Sequence, residues 1–251
     1  LYSRGLFTLG SRFKSVLHSE FADTDALRAY VSQQIHDFHA LNGRGVIAHF
    51  NPESYERYIW FARVGDGSLG GKARGLAFLN SLVQKYNLSR KYDDVKLSIP
   101  RTVVVATDYF DQFIVENGLQ YVIDSEISDE EILSEFVSSR LPEGLVEQLR
   151  SYIDTVRTPL AVRSSSKLED SSYQPFAGVY STYMIPLVEN KSQMLRMLGK
   201  AIKSVYASVF YAGSRTYIQT TANLLSEEKM AVVIQSICGS QHDGLYYPML
   251  S

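Results

Sequence analysis

The chain has 251 residues, 45% of them hydrophobic, enough to bury a sizeable core in one large domain or in a core domain with an appendage. With 25 basic and 27 acidic side chains its net charge is −2, which excludes a general field for nucleic acid or an anionic membrane and makes any anion site local. A single cysteine, Cys238, excludes an intrachain disulfide, and with neither an apolar run of membrane length nor a signal-peptide pattern the expected address is the cytoplasm.

In chain order, residues 23–41 place Ala26, Leu27, Tyr30, Val31, Ile35 and Phe38 at helical spacing and end at Asn42-Gly43, where a left-handed cap forms easily. This predicts a helical extension over residues 1–57. Within it a short strand is expected at 46–50 and a turn at Asn51-Pro52, and no convincing strand is read ahead of the glycine-rich stretch that follows. Leu76, Leu79, Val83 and Tyr86 line one face of a helix that begins near Lys72, so the glycine loop forms its first turn. The valines of 102–106 predict a buried strand, after which Thr107 or Asp108 is expected to cap a helix carrying Phe110, Phe113 and Ile114, with Gly118 beyond its end.

Ser128-Asp129-Glu130-Glu131 is a capping box, and the helix after Pro142 has Leu145, Leu149, Tyr152, Ile153 and Val156 on its inner face. Thr158-Pro159 then turns the chain into an apolar strand, Leu160-Ala161-Val162-Arg163. Val179, Ser181, Tyr183 and Ile185 alternate as a strand, Asn190 starts a long helix, and residues 230–237 form the last expected strand. Helices and strands are interspersed without a regular βαβ cadence. Lacking an opening methionine and ending directly after Tyr246-Tyr247-Pro248-Met249-Leu250, the chain reads as a piece of a longer protein.

Two segments carry the chemistry. Gly70-Gly71-Lys72-Ala73-Arg74-Gly75 opens a helix, where glycines let backbone N–H groups approach an anion and the first turn leaves amide donors available. Ala161-Val162-Arg163-Ser164-Ser165-Ser166 brings a guanidinium out of a buried strand, which calls for several carbonyls or an anionic partner: a ligand phosphate, or Glu169 or Asp170 in a structural ion pair. Together they suggest a phosphorylated ligand, with ATP the first expectation. Neither standard phosphate motif fits. A Walker A loop would need glycine at Asp66 and a hydroxyl residue at Ala73, and Gly65-Asp66-Gly67-Ser68-Leu69-Gly70 has Rossmann spacing without the expected strand before it or βαβ unit after it. His36 and His39 read as a helix-surface pair, and Cys238, after an apolar run, as a buried small residue.

Five ordered blocks carry a family resemblance: Gly70-Gly71-Lys72; Ile99-Pro100 through Thr107-Asp108-Tyr109-Phe110 and Phe113; Ala161 to Ser166 with Glu169-Asp170, Phe176-Ala177-Gly178 and Thr182-Tyr183; Ala201 to Ser208 with Arg215 and Tyr217; and Met230 to Gln235. In order and spacing they resemble the N-terminal ATP-grasp domain of phosphoenolpyruvate synthase and pyruvate phosphate dikinase. The resemblance implies an α+β fold, with an ATP-grasp-like nucleotide-binding domain over residues 58–251 that stops before its second subdomain is complete. It implies an enzyme that passes the β-phosphoryl group of ATP to a histidine on a separate swivelling domain and thence to pyruvate on a third; the alternatives are another dikinase with a glucan or antibiotic acceptor, or a non-catalytic nucleotide-sensing module. By position, Gly70, Gly71 and Lys72 would meet the phosphates, Arg163 would clamp the transferring group, Arg215 would be a second cation, and the backbone of Gln235, Ser236 and Ile237 would meet the adenine edge. ATP and Mg2+ are the implied cofactors, with the metal ligands and the acceptor histidine outside this chain, which alone is expected to be inactive. The implied partners are the phosphohistidine and pyruvate-binding domains, with homo-oligomerisation a further option and no nucleic acid or membrane. Val179, Ser181 and Thr182 depart from the glutamine and glutamate that synthase-type relatives carry after the glycine at 178.

Overall fold

A computed structural model describes residues 1–4, 6–42, 47–57, 59–86, 88, 97–125, 127–166, 180–219 and 228–247. Helices α1 (Phe7–Lys14) and α2 (Thr24–Asn42) come first; Phe13 of α1 meets Tyr30 of α2 edge-on at 6.4 Å, and Phe21, between the helices, meets the same ring at 5.2 Å. Strand β1 (Ala48–His49), helix α3 (Pro52–Arg57) and strand β2 (Phe61–Val64) follow, so the turn expected at Asn51-Pro52 is the start of a short helix with Asn51 accepting from the Ser54 amide. Next come α4 (Gly70–Lys85), β3 (Thr102–Val105), α5 (Thr107–Glu116), α6 (Tyr121–Asp124), α7 (Asp129–Ser138), α8 (Glu143–Thr155), β4 (Leu160–Ser166), β5 (Thr182–Ile185), α9 (Lys191–Ala207), α10 (Ala212–Gln219), β6 (Met230–Ser236), β7 (Ser240–His242) and β8 (Leu245–Tyr247).

The strands β1 to β6 form one mixed sheet in the order β1-β2-β3-β6-β4-β5, with β1, β2 and β3 parallel and β6 antiparallel to both of its neighbours. The α+β class expected from the sequence is the class adopted. One expectation is overturned: β2 is a buried strand directly ahead of the glycine loop, and β2, α4 and β3 make a parallel βαβ unit. Four residues with a charged arginine among them, Phe61-Ala62-Arg63-Val64, hide a strand from periodicity, because both faces of its apolar positions are covered.

The two faces of the sheet are covered unequally. Val103, Val105, Leu160, Val162, Val232 and Ile234 face α5, α7, α8 and α9 in the main core. Phe110, Phe113, Phe136, Tyr206 and Phe210 interlock there with ring centroids 5.1 to 6.3 Å apart, each contact adding on the order of 1 kcal/mol to the area term. The opposite face carries Phe61, Val104, Ala231 and Val233, and α4 covers it with Ala73, Leu76 and Ala77. Residues 48–57 belong with this body, since β1 pairs with β2 and Phe50 and Tyr55 join the main core.

Local signals decide the helix ends. Ser128 and Glu131 form the reciprocal capping box at α7, Asn190 caps α9 by accepting from Gln193 N at 2.9 Å, and Gly118 follows α5 at φ +63°. The hairpin of β7 and β8, unannounced by periodicity, turns at Asp243-Gly244 with both φ values positive, as a two-residue hairpin demands.

Candidate functional site

The glycine loop is shaped by what fills it. Gly65 (φ +92°) and Gly67 pack so closely on the start of α5 that an added Cβ would lie 2.5 Å from Asp108 Oδ1 and 2.5 Å from Asp108 N, respectively. The Asp66 amide donates to Asp108 Oδ2 at 2.7 Å and the Ser68 amide to Thr107 Oγ1 at 2.9 Å. The Rossmann-like spacing thus does stand in a βαβ unit, yet its amides hold the chain's own carboxylate and hydroxyl. Thr107 and Asp108 were expected to cap α5; the cap position is Ala106, and the two side chains clamp the loop instead. Arg63 braces the loop from β2, donating to the carbonyls of Gly65 (2.8 Å) and Gly67 (3.0 Å).

Beyond the loop, α4 docks on the end of β4. Gly70 sits at φ +70°, and a Cβ there would be 1.8 Å from the Ser165 carbonyl oxygen. Ser165 Oγ accepts from the Ala73 amide at 3.0 Å and donates to the Leu69 carbonyl at 2.8 Å, serving as the N-terminal cap of a helix whose own cap residue, Leu69, has no side-chain acceptor. Lys72 Nζ donates to the Ser164 carbonyl at 2.8 Å and to Ser164 Oγ at 3.3 Å. The two segments singled out in the sequence therefore do meet, 92 residues apart, with Lys72 beside the strand that carries Arg163. The cap supplied by Ser165 was missed in the sequence, since a serine run after a strand carries no signal of which helix it will meet.

Arg163 pairs in register with Val233 and Thr182. Strand alternation puts it with Ala161 and Ser165 on the α4 face, opposite Leu160 and Val162 in the main core. It is half-buried, and among the described residues its guanidinium has no ion-pair or hydrogen-bond partner. Glu169, Asp170 and the stretch 167–179 lie outside the described residues. The other expected site groups are engaged elsewhere. Arg215 donates from Nε to the Phe210 carbonyl at 2.6 Å, from one terminal nitrogen to Ser125 at 2.7 Å and from the other to Val122, so it ties α10 to α6. Gln235 is buried and donates to Thr102 Oγ1 at 3.1 Å, while the Ser236 and Ile237 amides donate to Arg101 and Pro159 carbonyls at 2.9 Å each. Cys238, expected buried, is exposed because β6 ends two residues earlier and leaves the sheet.

Among the described residues no group of three or more His, Cys, Asp or Glu could hold a metal ion. What the site offers is cationic: an ammonium at the N-terminus of α4 and a guanidinium on the same side of the sheet, a combination suited to a polyanion.

A mixed sheet whose glycine-lysine helix start meets an Arg-Ser-Ser strand end defines a nucleotide-binding class of domain. Residues 66–249 match the model of the pyruvate phosphate dikinase AMP/ATP-binding domain, and the chain belongs to that family. Among named relatives, the uncharacterized phosphotransferase YvkC of Bacillus subtilis is 29% identical over 151 residues, covering 60% of this chain and 17% of the relative. Phosphoenolpyruvate synthase of Aeropyrum pernix is 24% identical over 201 residues, covering 71% of this chain and 22% of the relative. The chain spans about a fifth of the length of these relatives.

Proposed function

We propose that the chain is the ATP-binding portion of a phosphoenolpyruvate synthase or pyruvate phosphate dikinase-like phosphotransferase, in which the β-phosphoryl group of ATP passes to a histidine on a separate domain and thence to pyruvate. The family membership supports the nucleotide. The observation that carries the rest is the docking of Gly70, Gly71 and Lys72 onto Ser164 and Ser165 beside Arg163, which brings a helix N-terminus and two cations to one face of the sheet. Phosphoryl transfer asks a protein chiefly to position the phosphates and neutralise their charge, so this arrangement supplies much of what one side of the reaction needs. Magnesium, arriving with ATP, would neutralise further charge and take its protein ligands from outside this chain. Lys72 orients the phosphates and Arg163 holds the transferring group. Arg215 is left out, since its guanidinium serves three carbonyls, and the amides of Ser236 and Ile237 are left out as adenine donors for the same reason.

The second reading is a dikinase of the same chemistry with another acceptor, favoured by the match to a relative named only as a phosphotransferase. ATP and AMP binding measured by calorimetry on the chain tests the shared part. Arg163→Ala and Lys72→Ala should each weaken binding by about 1.5 to 3 kcal/mol, roughly tenfold to a hundredfold. Arg163→Ala is the cleaner variant, because no described side chain depends on that guanidinium, and unchanged affinity in it would defeat the proposal. Phosphohistidine in the full-length protein after incubation with ATP separates an enzyme from a nucleotide-sensing module, and product analysis with pyruvate separates the two acceptors.

A further inference from the structure

At the other end of the same sheet lies a cavity of about 350 Å³ whose walls include Tyr55 of α3, Arg101, Tyr152 of α8, Arg157, Thr158 and Ser236. It is remote from the Lys72 contact. Ser236 pairs with Leu160 and Val232 with Ser164, so four residues of strand, about 13 Å, separate the two places. It also lies toward the main-core side, with Tyr55 and Tyr152 both in that core, whereas Arg163 faces α4.

Three features of the lining converge on an anion. Two guanidinium groups, Arg101 and Arg157, line it, and among its described lining residues none is acidic. Arg101 is stacked on aromatic faces, 5.2 Å from the Trp60 ring centroid and 5.7 Å from that of Tyr55, which fixes the plane in which its N–H groups donate. Arg157 is anchored by one terminal nitrogen to the carbonyls of Asp154 and Val156, which holds its head at the rim. Finally, Thr158 Oγ1 is buried without a hydrogen-bond partner, a costly state for a hydroxyl unless something is meant to meet it, while the buried Tyr55 phenol meets that of Tyr152. Burial raises the Tyr55 and Tyr152 phenols well above their ordinary pKa, so both are neutral donors at physiological pH.

We infer that this cavity is a second ligand site, taking a small phosphate monoester whose phosphate sits between Arg101 and Arg157 and whose apolar body lies on the tyrosine rings. Phosphate is favoured over carboxylate because its terminal oxygens can engage two guanidinium groups at once, and the volume suits a small metabolite. Ser236, expected from the sequence at the adenine edge, lines this cavity, but its amide is taken by the Arg101 carbonyl and no other residue of the cavity belongs to the nucleotide reading, so the two sites are tested separately.

Trp60, the only tryptophan of the chain, reports on the site through its contact with Arg101. Titrating the whole chain with phenyl phosphate while following tryptophan fluorescence should give a saturable change. It should survive in the Lys72→Ala/Arg163→Ala double variant, weaken at least tenfold in Arg157→Gln and be partly restored in Arg157→Lys. Thr158→Val, which removes an unpartnered buried hydroxyl at constant volume, should melt no lower than the parent and bind several-fold more weakly, an outcome a purely structural threonine would not produce. Inorganic phosphate should bind more weakly than phenyl phosphate. The proposal is overturned if no saturable change occurs, if the double variant abolishes it, if Arg157→Gln and Thr158→Val both bind as the parent does, or if benzoate binds as tightly as phenyl phosphate.

Discussion

The two ends of the central sheet are built on opposite principles. At the end where β4 finishes, glycines bring backbone into close contact: Gly70 leaves 1.8 Å between a notional Cβ and the Ser165 carbonyl oxygen, and Gly65 and Gly67 leave 2.5 Å to the Asp108 carboxylate and amide. At the end where β4 begins, long side chains surround a cavity and the buried Thr158 hydroxyl lacks a partner. A close backbone approach fixes position without side-chain entropy, which suits a place where phosphates must be held in line. An open, side-chain-lined pocket tolerates substitution and adapts to what enters it. The first end should therefore lose stability steeply on mutation, and the second should lose binding while keeping its fold.

The hardest test of that contrast is Gly70→Ala. Its left-handed φ and the clash with a backbone carbonyl act together, so a loss of more than about 3 kcal/mol in denaturant unfolding is expected. A smaller loss would mean that α4 slides easily on β4. Ser165→Ala comes next, at about 2 to 3 kcal/mol, because it strips the cap from the Ala73 amide and the donor from the Leu69 carbonyl, both buried. At the opposite end Arg157→Gln should shift stability by less than about 0.5 kcal/mol, since its guanidinium is at the rim.

The smallest effect belongs to neither end and calibrates both. Glu131 at the start of α7 is held below its ordinary pKa by hydrogen bonds from the Ser128 amide and hydroxyl. A carboxylate with a depressed folded-state pKa stabilises above its unfolded value and loses that contribution as pH falls through the folded one. The difference in melting temperature between the parent and Glu131→Ala should thus be present at neutral pH and shrink below the ordinary carboxylate range.

Much of the front end was legible in the chain itself. Lys72 and Arg163 stood out because a lysine in a glycine-rich helix start and an arginine leaving an apolar run each need a charge-compensating environment. The long apolar helices, the capping box and the valine strand were equally readable, for they rest on local periodicity and short hydrogen bonds. Strand β2 was not, because an arginine interrupts four residues, and its role depends on a parallel neighbour 41 positions along, Phe61 against Thr102. Thr107 and Asp108 have the chemistry of helix caps, and only the proximity of a loop from another element turned them into its clamp. Arg215 looked like a spare cation in sequence; three carbonyls from distant elements claim it.

What the sequence determined by itself is therefore the set of elements with strong local periodicity, the family, and the identity of the two cations, since each follows from residue type and short-range spacing. What only the tertiary structure decided is which donors meet which acceptors: Ser165 capping α4, Asp108 filling the glycine loop, Arg215 withdrawn to carbonyls, and a two-arginine cavity assembled from α3, α8 and the ends of two strands. Hydrogen bonds and guanidinium contacts are satisfied by any suitable partner within about 3 Å, and nothing in a linear pattern says which partner, tens of residues away, the packing of the sheet will bring within that reach.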